Sequence, residues 1–343
     1  MRKGYTLQYV QGLSEEKIEL LYLASLAPSG HNTQPWRITI KKDKLWGIGS
    51  DKTRWLPAVD PDNREMILSL GAFIENLSIA AGIQGYEAEV NVTGKDNFSS
   101  EIAEVKLMKG KETSVSDRAI KERRTVRKHL LTSPMKEEDI KYLVGNNKNT
   151  IFYYPLASKE GSYLSEATLL ANKTQVDRED TQKELAEWIR WTAREAREHH
   201  NGLTPESMEM TGIVRWYAEN FLSKEVVLNK TFKNETIKLV QEQVQSCAGW
   251  LVVKSDNTNV MDLINAGRVF QSAWLRAREK LIAFHPMTQV LEETPWRTEL
   301  AKELGHTGNI QFVVRIGYIK EYLQPVSLRM PMSKITVTED RYK

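Results

Sequence analysis

Two segments far apart in the chain share one pattern. Gly71-Ala72-Phe73-Ile74-Glu75-Asn76-Leu77-Ser78-Ile79-Ala80-Ala81 and Gly267-Arg268-Val269-Phe270-Gln271-Ser272-Ala273-Trp274-Leu275-Arg276-Ala277 each run from glycine through an apolar pair to Glu or Gln with a small polar neighbour, then into an apolar stripe. Apolar residues at this spacing predict a helix in both places. Each helix is followed by an alternating, strand-like segment, 101–108 after the first and 309–316 after the second. A repeat of this kind predicts a doubled chain with the Gly71 and Gly267 helices at its centre. The 343 residues leave room for two domains or one doubled one. The halves are placed at 1–117 and 118–343. Ser14 ahead of Glu15 and Glu16 reads as a capping-box start for the helix that opens the first half. Ser133-Pro134 reads as a similar start in the second, with Pro134 at a tolerated first-turn position.

The copies then diverge. The first opening helix runs into Ala24-Ser25-Leu26-Ala27-Pro28-Ser29-Gly30-His31-Asn32-Thr33-Gln34-Pro35-Trp36-Arg37, ahead of a strand-like Ile38-Thr39-Ile40. Proline lacks an N–H and restricts the residue before it, so this is a stiffened loop that displays Ser29, Asn32 and Gln34. Such a loop suits recognition of a flat heterocycle edge. The corresponding Val144-Gly145-Asn146-Asn147-Lys148-Asn149 keeps neither the prolines nor the tryptophan. Conversely, Glu122-Arg123-Arg124-Thr125-Val126-Arg127-Lys128 precedes the second copy, and nothing comparable precedes the first. Guanidinium forks bind phosphate oxygens bidentately, so Arg123, Arg124, Thr125 and Arg127 form a candidate phosphate site. The plainer alternative for that segment is a solvated basic surface.

The second half also carries extra length. Leu185, Trp188, Ile189 and Thr192 recur at helical spacing within 177–200, which predicts one amphipathic helix ended by Gly202 and Pro205. With the polar, aromatic-bearing stretch that follows, 177–234 reads as an insertion that acts as a lid.

Composition closes off other classes. Hydrophobic residues make up 41% and charged residues 27%, as in an ordinary globular protein. A net charge of +3 is too mild to point to nucleic acid. The single cysteine, Cys247, allows no disulfide framework within the chain and no multi-thiolate zinc site, and it reads as a small core residue. No metal site is expected, since the paired His199-His200 lacks partners at ligand spacing. There is no Gly-x-Gly-x-x-Gly and no P-loop. The tryptophans at 188, 191, 216, 250, 274 and 296 read as core or interface anchors. Residues 1–10 do not read as a signal peptide, and no segment is expected to reach the roughly 20 apolar residues that span a bilayer, so a cytoplasmic protein without membrane contact is the default.

The loop word Pro28-Ser29-x-x-Asn32-x-Gln34-Pro35-Trp36 resembles the loop by which the nitroreductase family holds FMN across a dimer interface. The closing Ile316-Gly317-Tyr318 and Gln324-Pro325-Val326-Ser327-Leu328-Arg329-Met330-Pro331 also resembles that family's ending, in which a basic residue ahead of a proline returns to the flavin phosphate. Arg329 holds that position. Ser327 stands where the family has a further lysine-type contact. His285-Pro286-Met287-Thr288-Gln289 follows the second glycine helix, and Pro286 matches a loop whose backbone amides approach the flavin N5. Thr288-Gln289 replaces the acidic-plus-glycine continuation common there. His285 itself reads as structural.

The chain thus resembles the long single-chain, Acg-like branch of the nitroreductases over most of its length. The resemblance implies an α+β, nitroreductase-like fold: an internally duplicated pseudo-dimer with mixed, mainly antiparallel sheets flanked by helices, and a helical lid. It implies FMN as cofactor, held by Pro28, Ser29, Asn32, Gln34, Arg123, Arg124, Thr125, Arg127, Pro286, Met287, Thr288 and Arg329, with no catalytic side chain because the flavin carries the chemistry. The implied reaction is ping-pong two-electron transfer from a transient NAD(P)H to a small-molecule nitroaromatic or quinone-type acceptor. Conventional members are homodimers, and whether the fused chain pairs again is open. Two rival readings stand: an FMN-binding or storage protein whose lid occludes the flavin and permits little turnover, and an interaction protein whose basic segment meets an acidic partner.

Overall fold

The computed structural model describes residues 9–10, 12–42, 44–113 and 116–339. The opening stretch 1–8, on which most of the signal-peptide reading rests, lies outside the described residues. Among the described residues, nine strands form two sheets. The first sheet takes β1 (Trp36–Lys42), β2 (Leu45–Ser50), β3 (Tyr86–Val92) and β4 (Glu101–Lys109); the second takes β5 (Ile151–Pro155), β6 (Gly249–Ser255), β7 (Ile282–Pro286) and β8 (Asn309–Tyr318). Their orders are β3-β4-β2-β1 and β7-β8-β6-β5, with every neighbouring pair antiparallel. The two sheets therefore share one connectivity. Each places its central helix, Arg64–Ile83 or Val260–Glu279, between its second and third strands.

The two central helices pack along one another and supply much of the main core. The repeat's glycines mark their crossing. A Cβ on Gly71 would fall 2.3 Å from the Ile264 carbonyl oxygen and 3.0 Å from Gly267 Cα, and one on Gly267 would fall 2.2 Å from the Leu68 carbonyl oxygen. No other residue lets the two backbones come this close. Around the crossing, Gln271 Nε2 donates to Asn76 Oδ1 at 2.7 Å in a fully buried pair, and Arg268 meets Glu75 at 3.1 Å. The Glu/Gln positions of the repeat thus bind the helices to each other.

Several local expectations need amendment. Each central helix is followed by two strands rather than one. β3, Tyr86-Glu87-Ala88-Glu89-Val90-Asn91-Val92, alternates half-buried and exposed residues along its length. β7 extends through His285 to Pro286, in what reads from sequence as loop. Ser14 is the N-cap of the helix Glu15–Ser25 but its side chain makes no capping bond, and Lys17, three places on, has no acceptor to complete a capping box. Ser133 and Pro134 lie ahead of a helix that starts only at Glu137. The helix expected over 177–200 is broken: Glu179–Trp188 and Ala193–His199 are separate, and between them Ile189 forms a β-bridge with Leu203. The helix Arg64–Ile83 is, against expectation, long and apolar enough to cross a membrane, though 72% of its apolar window is buried in the core.

The insertion is also larger than 177–234. β1 and β2 form a tight hairpin, whereas all of 156–248 lies between their counterparts β5 and β6. This excursion includes the helix Lys159–Asp177 and ends with Lys230–Gln245. It has a small core of its own, in which Ala186, Ile189, Trp191, Ala218 and Val227 meet Phe232 and Met210. Trp216 is exposed rather than an anchor. Finally, the chain's end returns to the first sheet: β9 (Thr336–Thr338) pairs in parallel with β1, Ile38 opposite Thr336.

Candidate functional site

The site grows from the end of the first helix. Leu26 and Ala27 are fully buried just beyond Glu15–Ser25, and their carbonyls point away from a helix C-terminus, where cations are favoured. Arg123 donates to the Leu26 carbonyl at 2.6 Å, and Arg329 donates to Leu26 and Ala27 at 3.1 and 3.3 Å. Sequence-distant arginines are thereby drawn to the start of the Pro28 loop.

That loop contains a single 3-10 turn, Gly30–Asn32, and three non-glycine residues with positive φ: His31 at 45°, Asn32 at 55° and Gln34 at 54°. Such conformations cost of order 1 kcal/mol each and persist where surrounding bonds over-determine them. Ser29 Oγ accepts from the Gln34 N–H at 3.0 Å. The Asn32 amide donates to the Gly202 and Leu328 carbonyls and accepts from Arg329 at 2.9 Å. Gln34 is fully buried, donating to the His200 and Leu328 carbonyls and accepting from the Met330 N–H at 2.9 Å. The loop therefore ties the insertion and the chain's last segment to the first half.

In the basic segment Arg123 and Arg124 are buried and Arg127 half-buried, so only Lys128 of its basic side chains is a wet surface. Arg124 pairs with Glu209 at 3.0 Å and donates to the Gln324 carbonyl at 2.8 Å. The other Glu209 oxygen accepts from the N–H groups of Arg127 and Lys128 at 3.1 and 2.9 Å. Arg127 also donates to the Ser207 carbonyl. Glu209, contributed by the insertion, thus latches it to this segment. Arg123 stacks on the Trp274 ring with its guanidinium carbon 4.5 Å from the centroid. Desolvation brings Arg123 down to about 10, so it stays cationic at neutral pH. Burial also lowers Arg127, with Glu209 opposing.

These elements enclose a cavity of about 300 Å³. Pro28, Ser29, Asn32, Arg123, Arg124, Thr125, Arg127, Pro286, Thr288 and Arg329 all line it. Its apolar wall comes from Phe270, Trp274 and Phe312, with Leu68 and Ala72 from the other central helix. Two expected residues stand elsewhere. Gln34 is behind the wall as a brace, because every group of its amide is engaged by backbone. Met287 packs in a separate core cluster with Trp250, Val290 and Leu300, and its N–H bonds to the Val313 carbonyl at 2.9 Å. His285 is buried beside Arg315, 3.2 Å from its guanidinium, and burial and that charge hold it neutral. Cys247 is fully buried, its thiol pushed up to about 11 by desolvation.

The cavity also holds residues the sequence did not single out. Gln175, Leu203 and Ser207 reach it from the insertion, and Glu65 and Glu292 line it from the first central helix and the turn after Thr288. Burial raises both carboxyls, and for Glu65 the neighbouring Glu292 charge adds to the effect. No groups of His, Cys, Asp and Glu suited to a metal ion occur among the described residues.

No protein-family model matches the chain. PigM of a Serratia species, named a probable NAD(P)H nitroreductase, is 25% identical over 343 aligned residues that cover 93% of each chain. The acg protein of Mycobacterium tuberculosis, provisionally named an NAD(P)H nitroreductase, is 41% identical over 68 residues, 20% of each chain. Solved structures that align with it include the FMN-dependent nitroreductase NfnB from Mycobacterium smegmatis in complex with NADPH, at 14% identity and a TM-score of 0.39, over 64% of this chain and 96% of that one. A nitroreductase with bound FMN from Desulfitobacterium hafniense aligns at 13% and 0.37, over 65% and 97%. Along nearly its whole length, then, this chain is similar in sequence to an NAD(P)H nitroreductase, as its Pro28 loop and closing Arg329 motif suggest.

Proposed function

We propose that this protein is an FMN-dependent oxidoreductase that takes two electrons from NAD(P)H and passes them to a nitroaromatic or quinone-type acceptor. The observation that supports this most is the shared cavity: residues from the Pro28 loop, the Arg123 segment, the Pro286 turn and the closing Arg329 segment all line it. Its donor set fits FMN, with cationic guanidinium groups suited to a phosphate and aromatic walls suited to a flat ring. The full-length similarity to PigM points the same way.

In this reading Arg123, Arg124, Arg127 and Arg329, with the Thr125 hydroxyl, hold the phosphate. Pro28 and Ser29 line the rim of the ring system. The Asn32 amide is already committed to Gly202, Leu328 and Arg329, so Asn32 acts by fixing the loop rather than by reading the flavin edge. Pro286, at the end of β7, and Thr288, just beyond it, face the cavity, and Trp274, Phe270 and Phe312 exclude water. When bound, FMN supplies the two-electron chemistry. We read the chain as a fused pair, 1–117 and 118–343, that keeps one composite site; its last strand, β9, crosses back to complete the first sheet.

The test is spectroscopic. Purified protein should carry flavin absorbance, bleach with NAD(P)H under anaerobic conditions and regain colour on adding a nitroaromatic or a quinone. A colourless protein that takes up no FMN would contradict the proposal. The storage reading draws on the insertion's contacts: Leu203, Ser207 and Gln175 line the cavity, and the His200 and Gly202 carbonyls are bound to the loop. Bound FMN that NAD(P)H fails to bleach would favour it.

A further inference from the structure

We propose that Glu65 and Glu292 form a proton-sharing carboxyl pair that delivers a proton to an oxygen of the acceptor as it is reduced. This inference rests on the oxidoreductase reading and deepens it. The residues lie 227 positions apart and meet in the cavity wall. Glu65 sits in the first turn of Arg64–Ile83. One of its oxygens accepts from Arg64 at 2.8 Å, and the other faces the Pro28 loop, 3.8 Å from where a Cβ on Gly30 would stand. Glu292 ends the short helix Gln289–Glu292; one oxygen accepts from Thr288 Oγ1 and the other from Gln175 Nε2, both at 2.5 Å. Both carboxyls line one desolvated wall, and the charge of Glu292 raises Glu65, so one proton held between them is favoured over two neighbouring anions.

The surroundings hold that proton more tightly than an ordinary glutamate would. Burial raises both groups, and Asp60, raised by its own burial, adds negative charge beside them. Arg64 opposes the rise without reversing it. Glu184 reaches the same region from the insertion, where burial raises it too, and Glu293 is ion-paired with Arg178 at 2.7 Å. His31, the remaining non-arginine titratable residue in the described lining, is brought down to about 4 by burial and offers no proton. A second, independent feature points to a ligand here. Gln289 Oε1, in the same wall, is buried without a hydrogen-bond partner among the described residues, an acceptor that a bound O–H or N–H would satisfy.

The step balances. NAD(P)H is oxidised and supplies two electrons and one proton. The Glu O–H bond breaks as an O–H bond forms on the quinone or nitro oxygen, and the pair regains its proton from water. A quinone becomes a hydroquinone; a nitro group takes up the same two electrons and two protons, one from NAD(P)H and one from the pair, and loses water to become a nitroso group.

The test uses the FMN-loaded protein and its Glu292→Gln and Glu65→Gln variants. Each form is reduced with NADPH and then reoxidised either by benzoquinone, which must be protonated, or by ferricyanide, which need not be. The benzoquinone rate should fall by roughly 10²-fold more than the ferricyanide rate in each variant. In wild type it should decline as pH rises through the titration of the pair. Infrared spectra at neutral pH should show a protonated carboxylic acid in wild type that Glu292→Gln abolishes. Equal loss with both acceptors, no loss with either, or no carboxylic acid band would overturn the inference. A protein that takes no FMN, or is not bleached by NADPH, would instead overturn the parent reading and remove the step with it.

Discussion

The two sheets have the same strand order, yet one closes its first strand pair with a tight hairpin and the other interrupts it with the helical excursion 156–248. The same contrast appears at the helices that precede them. The helix Glu15–Ser25 ends against Arg123 and Arg329, both of which line the cavity. Its counterpart Glu137–Val144 ends against Arg276, which donates to the Leu143 carbonyl at 2.7 Å and lines no part of the cavity. One kind of helix end thus serves a site in one half and only stability in the other. The two sheets share one frame, and the excursion with the segment that leads to β9 makes it asymmetric.

Four outcomes would break or sharpen that contrast. The largest concerns the latch between excursion and frame. Glu209→Ala leaves a buried Arg124 without its counter-charge, and breaking such a pair costs about 3–5 kcal/mol. Hydrogen exchange should accelerate over 203–222 while β1 and β2 stay protected; uniform protection would show that the excursion is held otherwise. Next is the shared frame itself. Gly71→Ala drives a methyl group into the Ile264 carbonyl and should cost roughly 1–3 kcal/mol in urea unfolding. The same change at Gly305, whose neighbourhood is open but whose φ is +70°, should cost about 1 kcal/mol.

The third outcome separates the two helix ends. Arg329→Ala should weaken FMN binding by roughly 1.5–3 kcal/mol, the range for a hydrogen bond to a charged group, whereas Arg276→Ala should leave FMN affinity unchanged. Equal losses would mean that the arginines act only through stability. The smallest outcome is a pH dependence. Glu65 and Glu292 have carboxyls raised in the folded state, so folding carries no penalty from them below the ordinary glutamate range and a growing one as pH rises through their folded values. The melting temperature of Glu292→Gln relative to wild type should therefore climb from pH 4 towards neutrality. A constant difference would argue that Glu292 is ionised throughout.

What could be read from the sequence follows from where its signals lie. The Gly71 and Gly267 helices were legible because a close helix crossing needs glycine in both partners and repeats the pattern around it. The loop and the arginine segment were legible because proline, amide and guanidinium chemistry is local. The excursion was underestimated because a broken hairpin leaves no mark of its own: Lys159–Asp177 reads as one more helix unless β5 and β6 are known to be partners. The place of Gln34 behind the cavity wall is not legible in the sequence because its burial depends on the His200, Leu328 and Met330 backbone. Glu65 and Glu292 were invisible for the same reason. Each alone is an ordinary helix carboxylate, and only the fold makes them neighbours.

Titration of FMN with flavin-depleted protein, followed by flavin fluorescence, tests the central claim most directly. The account predicts saturation at one FMN per chain, with emission quenched beside Trp274. Unchanged fluorescence at saturating protein, or saturation at two FMN per chain, would contradict it.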